Sequence, residues 1–268
     1  MSDPKQLHGH APRNTGTSRT ASRLLSPGDP APAIAQNPGG RSRILLVCDH
    51  AGRAIPRRLG TLGLGPEDLE RHIAWDIGAG ALALALGERL DACVVRQAYS
   101  RLVIDCNRPL DDPTLVPEAS DGTPIPGNRG LATEQLQARV TEIHAPYHAA
   151  IAGLMGARAA PLLVSAHSFT PRMDGLDRPW HVGVLHHGAS PASLRMLELL
   201  RAEPGLTVGD NEPYALGEHD HTVPAHALAQ GLDYLELEVR QDLIADAAGQ
   251  ARLAGLLAPL LRRAAEAV

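Results

Sequence analysis

Two histidines stand just past apolar runs, where a cleft-forming loop begins. His50 follows Arg43–Cys48 in the stretch Asp49-His50-Ala51-Gly52, and His167 follows Pro161–Ala166 in His167-Ser168-Phe169. Loops at strand ends of open α/β sheets project side chains into a common crevice. A hydrolytic zinc centre keeps three protein ligands and leaves its fourth position to water, and two such imidazoles are candidates for it. Either one alone reads more readily as a histidine satisfied by a backbone carbonyl; the pair tips the balance modestly toward the metal. Asp76 can complete the set as a carboxylate ligand. It also stands where the N-cap of a helix over Ile77–Leu90 would fall, and spacing does not separate the two roles.

The run Tyr234–Arg240 carries Glu236, Glu238 and Arg240 at alternate positions, so as a strand it points all three to one face. Glu238 is a candidate general base, since a carboxylate in a partly dry cleft has its pKa raised toward working pH. Glu236 competes for that role, and a Glu238–Arg240 salt bridge is the structural alternative. Arg101 and Arg108 bracket a predicted strand over Leu102–Asp105, with Asn107 beside the second. A guanidinium at a strand end suits a bidentate grip on a substrate carboxylate; an ion pair with Asp105 or Asp111 is the alternative. The pairs His72/Asp76 and His144/His148 have helical i,i+4 spacing. No Glu follows His144, so the His-Glu-x-x-His pattern is absent. His72, His144 and His148, with His186, His187, His219 and His221, read as surface or capping groups and stay outside the predicted metal set.

The elements that must position these groups alternate. Predicted strands cover Arg43–Cys48, Ala92–Gln97, Leu102–Asp105, Pro161–Ala166, His181–His186 and Tyr234–Arg240; predicted helices cover Ile77–Leu90, about Thr133 to Ala157 with a bend at Pro146, Pro191–Arg201, and the last ~20 residues. The pattern is that of an α/β sandwich, a central sheet covered on both faces. Pro109–Gly130 reads as a long, functional loop. Residues 1–42, rich in Ser, Pro, Gly and Arg, read as a flexible N-terminal arm that includes His8 and His10. Residues 43–268 then form a single catalytic domain.

Composition narrows the class. The net charge of −5, with no basic block, argues against a nucleic-acid surface. Neither a bilayer-spanning run nor an apolar signal core is visible, so no membrane partner and a cytoplasmic location are expected. The three cysteines, Cys48, Cys93 and Cys106, lie in or beside apolar runs without Cys-x-x-Cys spacing and read as buried thiols.

Taken together, Cys48-Asp49-His50-Ala51-Gly52 with Ile55-Pro56, Trp75-Asp76, Ser100-Arg101 through Asn107-Arg108, and Ser165-Ala166-His167-Ser168-Phe169 resemble the N-formylglutamate amidohydrolase family. The resemblance runs from about Arg43 to Leu243. It implies a fold of the zinc carboxypeptidase and aspartoacylase type, a three-layer α/β/α domain with a mixed central sheet. It implies one Zn2+ per chain on His50, Asp76 and His167, with Glu238 as general base. It further implies that Asn107 and Arg108, with Arg101, hold the carboxylates of a small N-acyl amino acid, and that Arg240 assists. With N-formylglutamate the products would be formate and glutamate, a step of histidine degradation. Ala51 stands where typical members have Ser, and the segments Arg178–Trp180 and Gly209–Tyr214 suggest a divergent branch.

Overall fold

The computed structural model describes residues 23–266 except 160 and 189; His8 and His10 lie outside the described residues. Seven strands form one sheet. They are β1 (Ala33–Gln36), β2 (Ile44–Cys48), β3 (Cys93–Gln97), β4 (Leu162–Phe169), β5 (Val182–Leu185), β6 (Val208–Asp210) and β7 (Tyr234–Arg240). Their spatial order is β1-β3-β2-β4-β7-β5-β6. The neighbours β3, β2, β4 and β7 run parallel, whereas β1 on β3 and β5 on β7 are antiparallel. The sheet is therefore mixed.

Strand alternation sorts the core into two layers. Ile44, Leu46 and Cys48 of β2, Val164 and Ala166 of β4, and Leu235, Leu237 and Val239 of β7 face one side. There they meet α1 (Ala79–Leu90), α4 (Pro191–Arg201) and α6 (Ala247–Ala265). Leu45, Val47, Leu163 and Tyr234 face the other side, against α2 (Thr133–Arg139), α3 (Ala145–Gly156) and the short α5 (Thr222–His226). Strands buried on both faces explain the continuous apolar runs, and the result is a three-layer α/β/α arrangement. On this second face β4 and β7 carry Ser165, His167, Glu236 and Glu238 in place of apolar side chains.

Several expectations are corrected. Residues 33–36 are not part of a loose arm: they add a strand to the β3 edge, with Ala33 opposite Gln97 and Gln36 opposite Val94. Leu24 is buried, and the Leu24 and Leu25 N–H groups donate to Glu142. Backbone pairing at an exposed edge orders a segment whose composition gives no periodic signal. Leu102–Asp105 is not a strand. Ser100 turns the chain there by accepting from Val103 N and, through Oγ, from Leu102 N, and the apolar side chains of the run fill the second core as a packed turn.

The predicted Thr133–Ala157 helix is α2 and α3 joined by a π turn, Val140–His144. Pro146 has no N–H to give to the helix, and the wider turn lies just before it. Pro109–Gly130 is mostly loop, with a small hairpin pairing Ala119–Ser120 to Thr123–Pro124. Arg139 is buried beneath it and donates to Val103 O and Asn128 Oδ1, tying α2 to both ends of this region.

Candidate active site

The parallel register sets Glu238 beside His167 and Glu236 beside Ser165, so all four lie on one face of β4 and β7. His50 follows the end of β2. Its loop hugs β3 so closely that a Cβ on Gly52 would fall 2.0 Å from Ala98 O. Asp76 is no helix cap. Gly78, at φ +80°, starts α1 with its carbonyl accepting from Leu82 N; a side chain there would strike Ile244 O. This glycine turn lets Asp76 aim into the sheet face, where it is buried and accepts from Ser168 N at 3.2 Å.

His50, Asp76 and His167 meet. One ligand atom from each lies within 4.8 Å of the other two. Asp76 Oδ2 is 2.9 Å from His167 Nδ1 and 3.4 Å from His50 Nδ1. The other nitrogen of each imidazole faces a carboxylate: His50 Nε2 makes a 2.7 Å hydrogen bond with Asp105 Oδ1, and His167 Nε2 lies at an ion-pair distance of 3.2 Å from Asp49 Oδ2 without a hydrogen bond. Carboxylate-backed imidazoles are typical of metal ligands, because the second partner fixes tautomer and ring orientation.

The residues fit a divalent cation on two further grounds. His50 Nδ1 is buried without a hydrogen-bond partner, which is costly unless something takes its lone pair. The surroundings also carry surplus negative charge: Asp49, Asp76 and Asp105 are buried together. Burial alone would raise these carboxyls. For Asp49 and Asp76 the histidines more than compensate, and for Asp105 Arg101 with His50 does so, so all three stay well below the ordinary range. The same field acts on His167: burial opposes its charge, yet Asp49 and Asp76 hold its pKa well above the usual value.

Glu238 Oε2 is likewise buried without a partner, and burial pushes this carboxyl up to about 8. Glu236 is also raised to about 8 by burial. Both line a cleft of about 440 Å³ together with His50, Asp76, His167, Arg101 and Arg108, a size typical of small-molecule sites.

The predicted substrate groups separate. Arg101 lines the cleft, but its guanidinium is committed to site carboxylates. Nε and Nη2 donate to Asp105 Oδ2 at 3.1 and 2.8 Å, and Nη1 to Asp76 Oδ1 at 3.4 Å. The Asn107 amide is used in the scaffold, with Oδ1 accepting from His221 N and Thr222 N and Nδ2 donating to Asp220. Arg108 lines the cleft and donates to His219 O at 2.9 Å. Arg240 is absent from the cleft wall; it pairs with Asp242 and reaches the Arg178 and Pro179 carbonyls. It is the last residue of β7 and alternates onto the same face as Glu238, but its guanidinium is held by Asp242 and these carbonyls.

The Arg101–Asp105 ion pair is the alternative the sequence offered, but sequence reasoning gave Asp105 no contact with His50 and passed over Asp49 and Thr222, whose Oγ1 donates to Asp49 Oδ1 at 2.8 Å. Asp49 had a visible signal in its place beside His50. Thr222 had none, because its 173-residue separation from Asp49 closes only in the fold.

A mixed α/β sheet with two buried imidazoles at its strand ends, and an aspartate brought between them, defines the class as an α/β fold with a candidate metal-binding group. Residues 42–245 match the N-formylglutamate amidohydrolase family, and the chain belongs to that family, amidohydrolases that act on amide bonds. The gene product Atu2144 of Agrobacterium tumefaciens is 36% identical, with a TM-score of 0.88 over 91% of this chain and 98% of that one. An N-formylglutamate amidohydrolase from Ralstonia eutropha JMP134 shares the fold at 22% identity, with a TM-score of 0.71 over 88% and 98% of the two chains. No curated protein matches the chain. Among the described residues, no helix is long and apolar enough to cross a membrane.

Proposed function

We propose that this chain hydrolyses the amide bond of a small N-acyl acidic amino acid, N-formylglutamate foremost, with one zinc ion per chain on His50, Asp76 and His167. The observation that carries this reading is the buried Nδ1 of His50, which makes no hydrogen bond and shares its surroundings with Asp76 and His167. When bound, zinc supplies Lewis-acid polarisation of a carbonyl and lowers the pKa of water. Imidazole and carboxylate donors in this number suit zinc.

Glu238, beside His167 in the sheet and with a partnerless oxygen, takes a proton from the attacking water and delivers it to the leaving nitrogen. Oxygen from that water bonds to the formyl carbon as the carbon–nitrogen bond breaks, so formate and the free amine leave. Arg108 holds a substrate carboxylate at the cleft wall. Arg101 acts as a positioning residue, keeping Asp105 on His50 and steadying Asp76. Asn107 holds the segment before α5, and with it the Thr222–Asp49–His167 chain. The name borne by the Ralstonia eutropha protein supports the N-formylglutamate assignment; on this reading the reaction is a step of histidine degradation in the cytoplasm.

The test is a panel of N-formyl, N-acetyl and N-succinyl derivatives of glutamate, aspartate and neutral amino acids, offered to purified zinc-loaded protein with formate and free amine measured. N-formylglutamate is expected to be turned over fastest. Zinc bound at His50, Asp76 and His167 without turnover of any member would replace the hydrolase by a carboxylate-binding protein of the same fold.

A further inference from the structure

Four histidines gather outside the cleft, reached from His167 through Asp49 and Thr222. His144 ends the π turn, His148 lies one helical turn later on α3, and His221 and His226 come from the start and end of α5. Ring centroids are 4.4 Å apart for His144 and His148, 4.6 Å for His148 and His221, and 5.2 Å for His144 and His221. One ring nitrogen from each of these three lies within 4.8 Å of the other two.

The hydrogen bonds fix which nitrogens carry lone pairs. His144 Nε2 lies 3.2 Å from Arg108 O and His148 Nε2 lies 2.8 Å from Cys106 O. A carbonyl only accepts, so both Nε2 atoms are protonated and each neutral ring presents Nδ1 as its lone pair. Backbone carbonyls here serve as the carboxylates do at His50 and His167, fixing tautomer and orientation. His148 Nδ1 accepts a 2.9 Å hydrogen bond from His226 Nε2, which a metal ion on that lone pair would replace. The His221 ring makes no hydrogen bond among the described residues. Burial lowers the pKa of all four, His148 to about 3, so the imidazoles are neutral and able to bind metal at neutral pH.

We propose that His144, His148 and His221 form a second metal site, for a divalent ion of the zinc class held by imidazole nitrogen alone. An all-imidazole set selects zinc, copper or nickel over magnesium or calcium. Three protein ligands leave its fourth position to water. It ties α3 to α5, and α5 holds Asp49 through Thr222. The site stands independently of the function proposed above.

The test strips the full-length protein with a chelator, reloads it with Zn2+, removes the excess and counts metal by mass spectrometry. Wild type is expected to hold two zinc ions per chain, and the His50→Ala/His167→Ala and His144→Ala/His221→Ala pairs one each. Copper loaded into the first pair is expected to give an electron paramagnetic resonance spectrum split by several imidazole nitrogens. An empty His50→Ala/His167→Ala protein that is still folded by circular dichroism overturns the proposal. So does a His144→Ala/His221→Ala protein that holds as much zinc as wild type. Where an alanine pair does not fold, the asparagine pair at the same positions takes its place. A wild-type count of one that survives only in the His50/His167 variant supports this site and removes zinc from the proposed hydrolytic centre.

Discussion

His50 Nε2 lies 2.7 Å from Asp105 Oδ1, while Asp105 Oδ2 accepts two bonds from Arg101. One carboxylate thus orients a candidate metal ligand and is itself held by a guanidinium four residues earlier. Asp105→Asn is expected to weaken zinc affinity by about 10- to 100-fold, as loss of such a backing group does. Competition against a chelator of known affinity reads this directly, and unchanged affinity would show that the 2.7 Å contact has no bearing on metal.

Glu238 and Glu236 are both buried and raised, but only Glu238 sits beside His167. Glu238→Gln is expected to keep zinc and lose about 10²- to 10⁴-fold in kcat. Glu236→Gln should lose far less. If the two losses come out reversed, the proton carrier is Glu236.

The raised Glu236 carboxyl has a consequence for stability. Burial moves its pKa from 4.5 to about 8 in the folded chain. The stabilising contribution is complete below pH 4.5, where folded and unfolded forms are both protonated, and is lost as pH rises toward about 8, because the unfolded chain ionises first. Glu236→Gln has no proton to lose. In metal-free protein, its stability relative to wild type should grow between these limits by on the order of a few kcal/mol. Urea unfolding at pH 4.5 and pH 8 checks the sign; a difference that shrinks with pH contradicts it.

Arg108 and Arg240 make opposite predictions. Arg108 lines the cleft and Arg240 pairs outside it with Asp242. Arg108→Ala is expected to raise KM for N-formylglutamate about 10- to 100-fold, as loss of a charged hydrogen bond to a carboxylate would. Arg240→Ala should leave KM and kcat near wild type. Steady-state kinetics on the two variants separates them.

Removing residues 1–40 deletes β1 and bares the β3 edge. The truncated chain is expected to melt several degrees lower and to aggregate more readily, since an open strand edge templates pairing. Light scattering during a thermal ramp measures both, and an unchanged melting temperature would return this segment to the status of a dispensable arm.

Much of the architecture was legible because local rules decide it. The run Tyr234–Arg240 is a strand at the predicted bounds, and Pro191–Arg201 a helix at the predicted bounds, since alternation of apolar and charged residues and a Ser-Pro start are local signals. Leu102–Asp105 misled because its apolar side chains are buried in a turn, and burial alone does not fix backbone shape. Ala33–Gln36 was missed because an edge strand draws its order from its neighbour's hydrogen bonds.

The amino-acid sequence by itself determined the alternation of strands and helices, the apolar faces, and the chemistry carried by His50, Asp76, His167 and Glu238. Tertiary structure alone decided that Asp76 leaves its helix to meet two histidines, that Glu238 and not Glu236 flanks His167, and that Arg240 pairs with Asp242. The physical reason is that a donor set is a matter of distances near 3 Å between residues tens of positions apart, and only the register of parallel strands and the packing of loops sets them.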